Sequence, residues 1–194
     1  LDKLFQLTRE ISTRNLDKKV LINLRKQKNK LEKKLYRLIP EIKPKIIGAK
    51  EISKYLSKNS VLIEYKKFTP YFNNPNNEKK YIALIIKENG DTDSIDLGPA
   101  KKIDDQIKIA YNRTTSLPEL ESQFDNSQKA WNDLSDLIIT PLRKSIGKAE
   151  TLYISPDAEL NNVPFSALSL DKGDEFLPDS INLRLLTTGR ELIS

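Results

Sequence analysis

Residues 152–168 have the sequence LYISPDAELNNVPFSAL, and this stretch is the most informative about the fold. With Thr151, its first residues include two β-branched residues and an aromatic one and predict a strand that ends at Ser155. Pro156 and Asp157 favour a turn, and Pro164 fixes the backbone before the next apolar residue. We expect the apolar side chains of Leu160, Val163, Phe165 and Leu168 to return to the core, with Ala167 between the last two. The pattern indicates packing rather than direct contact with a substrate.

Three further strands are predicted upstream of this segment, at residues 61–65, 81–86 and 92–97. The second strand is almost wholly apolar, which favours a central place in a sheet. Asn89-Gly90 lies between the second and third strands, and this dipeptide is typical of a tight hairpin turn.

Helical spacing of apolar residues predicts helices over residues 49–57, 104–113 and 125–146. Trp131 falls on the apolar stripe of the longest helix, so we expect it in the core. Pro141 should kink that helix, and Gly147 stands where a C-terminal cap is expected. Short strand-and-turn segments are expected from Phe165 to Thr188. Together these elements predict a mixed α/β domain over residues 46–194, with a mixed sheet flanked by helices.

Residues 1–45 are predicted to form a basic, coiled-coil-like helical arm. No Gly or Pro occurs before Pro40, and the apolar pattern weakens around residues 12–15. A break or a bend is expected there, which gives either two helices or one imperfect coiled coil. Residues 1–58 carry 17 Lys and Arg against 6 Asp and Glu, a net charge of +11, whereas the rest carries 16 against 21, a net charge of −5. A heptad-like apolar seam runs along the arm and predicts a protein partner or self-association: Leu4, Leu7, Ile11, Val20, Leu24, Leu31, Leu35 and Leu38.

The basic arm also has the charge pattern of a phosphate-binding helix. Only Phe5 and Tyr36 supply aromatic rings for base stacking, however. We therefore favour packing of the arm against protein over binding to nucleic acid.

The sequence contains no His and no Cys. This chain alone therefore has no Ser-His-Asp or Cys-His arrangement, no thiolate nucleophile and no disulfide. No phosphate-binding glycine motif is present, and we predict no cofactor, no metal and no catalytic residue within it. Residues 91–96 resemble a calcium loop faintly, but Asp96 and Lys102 occupy the places that require Gly and Glu.

Two acidic residues, Asp157 and Glu159, stand close together after the fourth predicted strand. Carboxylates act as a catalytic pair only where the fold holds them a set distance apart. We expect both to face water.

No apolar run reaches the eighteen residues or so that a membrane span needs, and the N-terminus lacks the apolar region of a signal peptide. We therefore predict a cytoplasmic protein without a membrane partner. Met is also absent from the chain, which favours a piece cut from a longer polypeptide.

From residue 49 onward, the order of segments resembles the N-terminal portion of CHAT domains, the caspase-like domains associated with tetratricopeptide repeats. Residues 152–168 resemble the family signature l-x-I-x-P-D-x-x-L-x-x-[IVL]-P-F-x-A-L. Residues 131–145 are similar to its Leu- and Pro-containing helix, and residues 60–65 to its opening strand. Thr187-Thr188-Gly189 replaces the usual Pro-Ser in the last matching stretch.

The resemblance implies a half domain of the caspase and separase kind, from a bacterial protein such as those of cyanobacteria. Its His and Cys would lie beyond residue 194, so the parent protein would be a cysteine endopeptidase and this chain its non-catalytic scaffold. The downstream catalytic half and helical repeats joined at the arm are the partners that the resemblance implies. A non-enzymatic adaptor that docks protein through the arm is the alternative.

Overall fold

The computed structural model describes residues 2–13, 17–39, 47–70, 76–115, 121–170 and 175–193. Contacts between Cα atoms divide the chain into two units, Leu1–Ile46 and Ile47–Ser194.

The first unit contains two helices, α1 (Asp2–Thr13) and α2 (Lys18–Leu38). The predicted break in the arm is confirmed, because α2 starts anew after Asp17. The Asp17 carboxylate accepts a hydrogen bond from the backbone N–H of Lys19 at 2.8 Å and caps the helix. Residues 14–16 and the two prolines expected to end the arm, Pro40 and Pro44, lie outside the described residues.

The apolar seam of the arm is only partly buried. Leu7 is 6% exposed, whereas Val20 is 46% and Leu38 72% exposed. Val20 and Leu21 precede Leu24 by four and three residues, so both lie near its face of the helix, but of the two only Leu21 has intermediate burial. The remaining seam residues have intermediate burial: Leu4, Ile11, Leu24, Leu31 and Leu35.

The second unit contains five strands, five helices and several short 3-10 turns among its described residues. The strands are β1 (Ser60–Phe68), β2 (Lys80–Lys87), β3 (Thr92–Pro99), β4 (Thr151–Ser155) and β5 (Asn182–Leu185). The helices are α3 (Ala49–Ile52), α4 (Ala100–Thr115), α5 (Glu121–Ile138), α6 (Arg143–Ile146) and α7 (Leu177–Ser180). The 3-10 turns are Ser53–Tyr55, Thr140–Leu142, Ala158–Asn162, Phe165–Ala167 and Gly189–Ile193.

The strands form one mixed sheet in the order β3-β2-β1-β4-β5. β1, β2 and β3 pair antiparallel, and β1, β4 and β5 pair parallel. The predicted central place of β2 is confirmed, since β2 lies between β3 and β1. Gly90, in the predicted hairpin turn, has φ +88°, a conformation that glycine adopts without strain.

Helices and 3-10 turns cover both faces of this sheet. Alternate residues of β1 point to opposite faces, so Ile63 packs with α4 and α5 in the larger hydrophobic cluster, whereas Leu62 packs with α3 in the smaller one. Trp131 is 6% exposed within the larger cluster, which confirms the expectation that it belongs to the core. The predicted α/β fold, with a mixed sheet flanked by helices, is correct.

Three local predictions differ from the structure. The helix expected over residues 125–146 is interrupted, not kinked: α5 ends at Ile138, a 3-10 turn follows, and α6 starts at Arg143. Pro141 has no N–H, and its ring clashes with the carbonyl four residues earlier, so the α-helical pattern stops there. Gly147, with φ +59°, donates its N–H to the Arg143 carbonyl and caps α6 as predicted.

The region from Phe165 to Thr188 is mainly helical turn rather than strand. Its described part holds a 3-10 turn, α7 and a single strand, β5. The Asp179 carboxylate accepts the backbone N–H of Phe176 at 2.8 Å. This contact fixes the first turn of α7 and competes with extended backbone. The helix predicted over residues 49–57 is also shorter, because α3 passes into a 3-10 turn at Ser53.

Candidate functional site

The segment after β4 folds back onto the sheet as its apolar pattern predicts. Leu160 and Leu168 are fully buried, Phe165 is 1% exposed and Val163 is 5% exposed. The rings of Phe165 and Tyr65 lie 5.9 Å apart. The whole segment, residues 156–168, is called the return segment below.

The polar and proline positions of the return segment are less buried. Pro156, Asp157 and Ala167 have intermediate burial, and Pro164 is exposed with φ −74°. Ala158 has a positive φ of 53°, which is uncommon for a residue other than glycine and lets the chain reverse directly after Asp157.

Asp157 ties the return segment to the central strand. One carboxylate oxygen accepts the backbone N–H of Lys67 at 2.9 Å, and the other lies 3.5 Å from the Lys66 amine. The parallel pairing of β1 with β4 ends at Glu64 and Ser155. The Asp157 side chain therefore links β1 to the chain just beyond the last backbone pair.

Lys67 is the centre of a cluster of polar side chains next to this link. Its amine lies 2.7 Å from an Asp104 carboxylate oxygen and 2.6 Å from a Glu159 carboxylate oxygen. The Tyr81 hydroxyl donates to Asp104 at 3.0 Å and to Glu159 at 3.2 Å. These four residues, Lys67, Tyr81, Asp104 and Glu159, are called the Lys67 cluster; they join β1, β2, α4 and the return segment.

The environment shifts the pKa values of three members of the Lys67 cluster, namely Lys67, Tyr81 and Glu159. Burial lowers the pKa of the Lys67 amine, but its hydrogen bonds to Asp104 and Glu159 outweigh this effect, so the pKa is raised. The hydrogen bond from Lys67 lowers the pKa of Glu159, and burial raises the pKa of the Tyr81 hydroxyl. A general acid or base works best with a pKa near the operating pH. These shifts move away from neutrality, so the cluster favours structural attachment over proton transfer.

The sequence predicts that Asp157 and Glu159 face water, and this prediction is only partly correct. Their side chains are 31% and 47% exposed, but both pair with lysines of β1. The sequence reasoning missed Lys67, Tyr81 and Asp104 altogether. The available signal in the sequence was a pair of lysines at the end of an apolar strand. This signal does not identify their partners, because the partners belong to elements that are distant along the chain.

A second set of polar contacts lies at the carboxyl ends of the parallel strands. A Glu64 carboxylate oxygen accepts the backbone N–H of Gly189 at 2.7 Å, and the Ser155 hydroxyl donates to the Thr187 carbonyl at 3.0 Å. A Cβ added at Gly189 would lie 2.6 Å from Leu62 Cδ2 and 3.0 Å from Glu64 Oε1. The departure Thr187-Thr188-Gly189 thus has a local reason, since a residue without a side chain fits here.

Among the residues that the structure describes, no group of three or more Asp and Glu side chains is arranged to hold a metal ion. None of the helices described is both long and apolar enough to cross a membrane. The calcium-like residues 91–96 lie instead in the β2–β3 hairpin, where Asp93 accepts the Ser145 hydroxyl and Asp96 pairs with Lys80.

Comparison with known proteins gives one positive result. The family model described as CHAT domain matches residues 128–194, which run from α5 through β4, the return segment and β5. No curated protein matches the chain. The matched range contains the signature-like stretch at residues 152–168, and it begins after β1, β2, β3 and α4. The likeness to the CHAT domain family is therefore shown for residues 128–194 of this chain.

Proposed function

We propose that residues 47–193 are the non-catalytic scaffold of a caspase-like cysteine peptidase domain, whose reactive Cys and His come from sequence outside this chain. The observation that carries the proposal is the CHAT match at residues 128–194 in a chain without His or Cys. In such an enzyme, the His activates the Cys for attack on the peptide carbonyl. The scaffold would hold the sheet that supports these two residues.

The free edge of the sheet supports this proposal. β5 pairs with β4 on one side, and within the described residues no strand pairs with its other side. Leu185 in β5 is 60% exposed. Exposed, unpaired edges with apolar residues are usually covered in native proteins. A further parallel strand from the catalytic half would cover this one.

The test is cleavage by the full natural protein that contains this chain. We expect it to cut unstructured peptides, and we expect iodoacetamide to abolish the activity because the thiolate is the nucleophile. Full protein that is folded but cuts no peptide, or cuts equally well after thiol alkylation, would contradict the peptidase assignment.

The exposed apolar residues of the arm favour a second candidate function, protein docking by a non-enzymatic adaptor. Phe5 is 71% exposed, Ile22 56% and Leu38 72%. Apolar side chains at interfaces are normally buried by the partner. Light scattering on the chain and on residues 47–194 tests one form of docking, which is self-association. A dimeric mass for the chain with a monomeric mass for residues 47–194 supports self-association, and monomeric masses for both mean that a partner of the arm is another protein.

A further inference from the structure

A groove on the arm combines an apolar floor with a basic rim. One part of it has a volume of about 680 Å³ and includes Leu31 among its lining residues; an adjoining part of about 150 Å³ is lined by Leu4, Leu31, Leu35 and Leu38. The basic residues that line one part or both are Lys3, Lys30, Lys33, Lys34 and Arg37. Both parts share Lys3, Leu31 and Lys34 and so form one continuous surface.

The charge of this groove is of one sign. Among the described residues that line it, none is Asp or Glu. The one ion pair found within the described part of α2 joins Lys28 to Glu32 at 3.4 Å, and neither of these residues lines the groove. The rim cations are therefore available to an external anion.

The floor has the spacing of a helix-binding surface. Leu31, Leu35 and Leu38 follow one another at intervals of four and three residues, which places them along one side of α2. The lining residues of α2 run from Gln27 to Leu38, a rise of about 16 Å at 1.5 Å per residue, or three helical turns. An amphipathic helix of similar length would lay its own apolar residues along this floor.

We propose that this groove binds an amphipathic helix of another protein whose apolar stripe is bordered by Asp and Glu. This inference rests on the proposed docking role of the arm and gives its partner a chemistry. A second copy of the arm is disfavoured, because it would bring the same cations against Lys30 and Lys34. Nucleic acid would use the cations but leave the leucine floor without a partner, and none of the described residues that line the groove is aromatic, as base stacking would require.

The test uses the full chain and a fluorescent synthetic helix of about twelve residues, long enough to span the groove. The peptide has leucine at positions i, i+4 and i+7 and glutamate at most other positions. Fluorescence anisotropy should show saturable binding that weakens as salt is added, because exposed charges are screened. A peptide of the same composition with its leucines spread around the helix should bind at least about tenfold more weakly.

Matched variants separate the groove from the general charge of the arm. The double substitution Lys30→Glu and Lys34→Glu should weaken binding at least about tenfold. The control, Lys19→Glu and Lys26→Glu, makes the same charge change on α2 outside the groove lining and should weaken it less than about threefold. Leu38→Asp should also weaken binding, since Leu38 is part of the floor.

Two further measurements test whether a loss of binding comes from the groove or from loss of helical structure. Circular dichroism shows whether each variant keeps its helix; if the glutamates unfold it, Lys30→Gln with Lys34→Gln replaces the pair. A peptide with lysine in place of glutamate should bind the Lys30→Glu, Lys34→Glu chain better than it binds the wild type.

Equal binding of the scrambled peptide, or equal losses in the groove and control variants, would overturn the inference. The inference would also be overturned if a short DNA duplex displaced the peptide and bound the Leu38→Asp variant as tightly as the wild type. Self-association is tested separately by light scattering. Monomeric masses in that test would not contradict binding of the peptide to the groove.

Discussion

Gly189 packs closely against the central strand, β1. Its N–H is held by Glu64 at 2.7 Å, and the space for a side chain is filled by Leu62, which is fully buried. A buried side chain has little freedom to move aside. The close approach, not a special backbone angle, makes glycine suitable here.

Gly189→Ala should therefore destabilise the second unit, by about 1–3 kcal/mol, as is usual when atoms are forced into a packed site. Urea unfolding measures the change. The control is Gly48→Ala, because a Cβ at Gly48 meets no atom within 4 Å. Equal effects of the two substitutions would show that the Gly189 contact is not tight.

Lys67→Met should destabilise the protein by removing the one cation of the Lys67 cluster. Asp104 and Glu159 would then face each other and Tyr81 without their common partner. We expect a loss of about 1–3 kcal/mol, less than for a fully buried pair because the Glu159 side chain is 47% exposed.

The control for this substitution is Lys101→Met. The Lys101–Asp105 pair lies on the surface of α4, with Lys101 86% exposed, and such pairs contribute little. Urea midpoints that fall equally in the two variants would contradict a special role for Lys67.

The Lys67 cluster also predicts how this loss changes with pH. The pKa of Glu159 is lowered in the folded state from 4.5, so its contribution is present above that value and is lost as pH falls through the lower, folded pKa. The pKa of Lys67 is raised from 10.5, so its contribution is present below that value and is lost as pH rises through the higher, folded pKa. The stability difference between wild type and Lys67→Met should thus be largest between these limits and shrink in acid. Urea unfolding of both proteins across pH 3 to 8 checks this, and a constant difference would argue against the assigned pairing.

At the scale of the elements, one hydrogen bond joins the central strand to the end of α5. The Tyr65 hydroxyl, fully buried, donates to the Ile138 carbonyl at 2.9 Å. Ile138 is the last residue of α5, where helix carbonyls lack partners within the helix. Because Pro141 ends the helix, this carbonyl must be satisfied from elsewhere.

Tyr65→Phe removes that donor and leaves the Ile138 carbonyl buried without this bond. We expect a loss of about 1–2 kcal/mol in urea unfolding. Tyr153→Phe is the matched control, since its hydroxyl makes a longer, partly buried contact of 3.4 Å with Ser57. A larger effect at Tyr153 would contradict the account of how α5 ends.

Elements with a strong local pattern were predictable from sequence, and those set by context were not. The runs that form β1, β2 and β4 are apolar and β-branched, and each was found where expected. The sequence predicts a kink at Pro141, whereas the structure shows that the long helix is interrupted there. The interruption was not predictable, because the neighbouring 3-10 turn depends on packing and not on the proline alone. α7 was missed because its start depends on a single carboxylate contact, from Asp179.

At the scale of the whole molecule, the order of the strands required the structure. Sequence identified the hairpin of β2 and β3, a local feature, but the parallel pairing of β1 with β4 brings together residues about ninety positions apart. The Lys67 cluster depends on that pairing, because it draws on β1, β2, α4 and the return segment. The CHAT signature could be recognised without the structure, since it lies in one continuous stretch, but its attachment to β1 through Asp157 could not.

Our proposal makes residues 47–193 the non-catalytic part of a peptidase domain, so the purified chain should not cleave peptide bonds by itself. The most direct measurement incubates the purified chain with a mixed peptide library and identifies new peptide ends by mass spectrometry. We expect no cut above the buffer blank, because no thiolate or imidazole is present. Cleavage that persists through repurification and disappears in the Lys67→Met variant would contradict the claim.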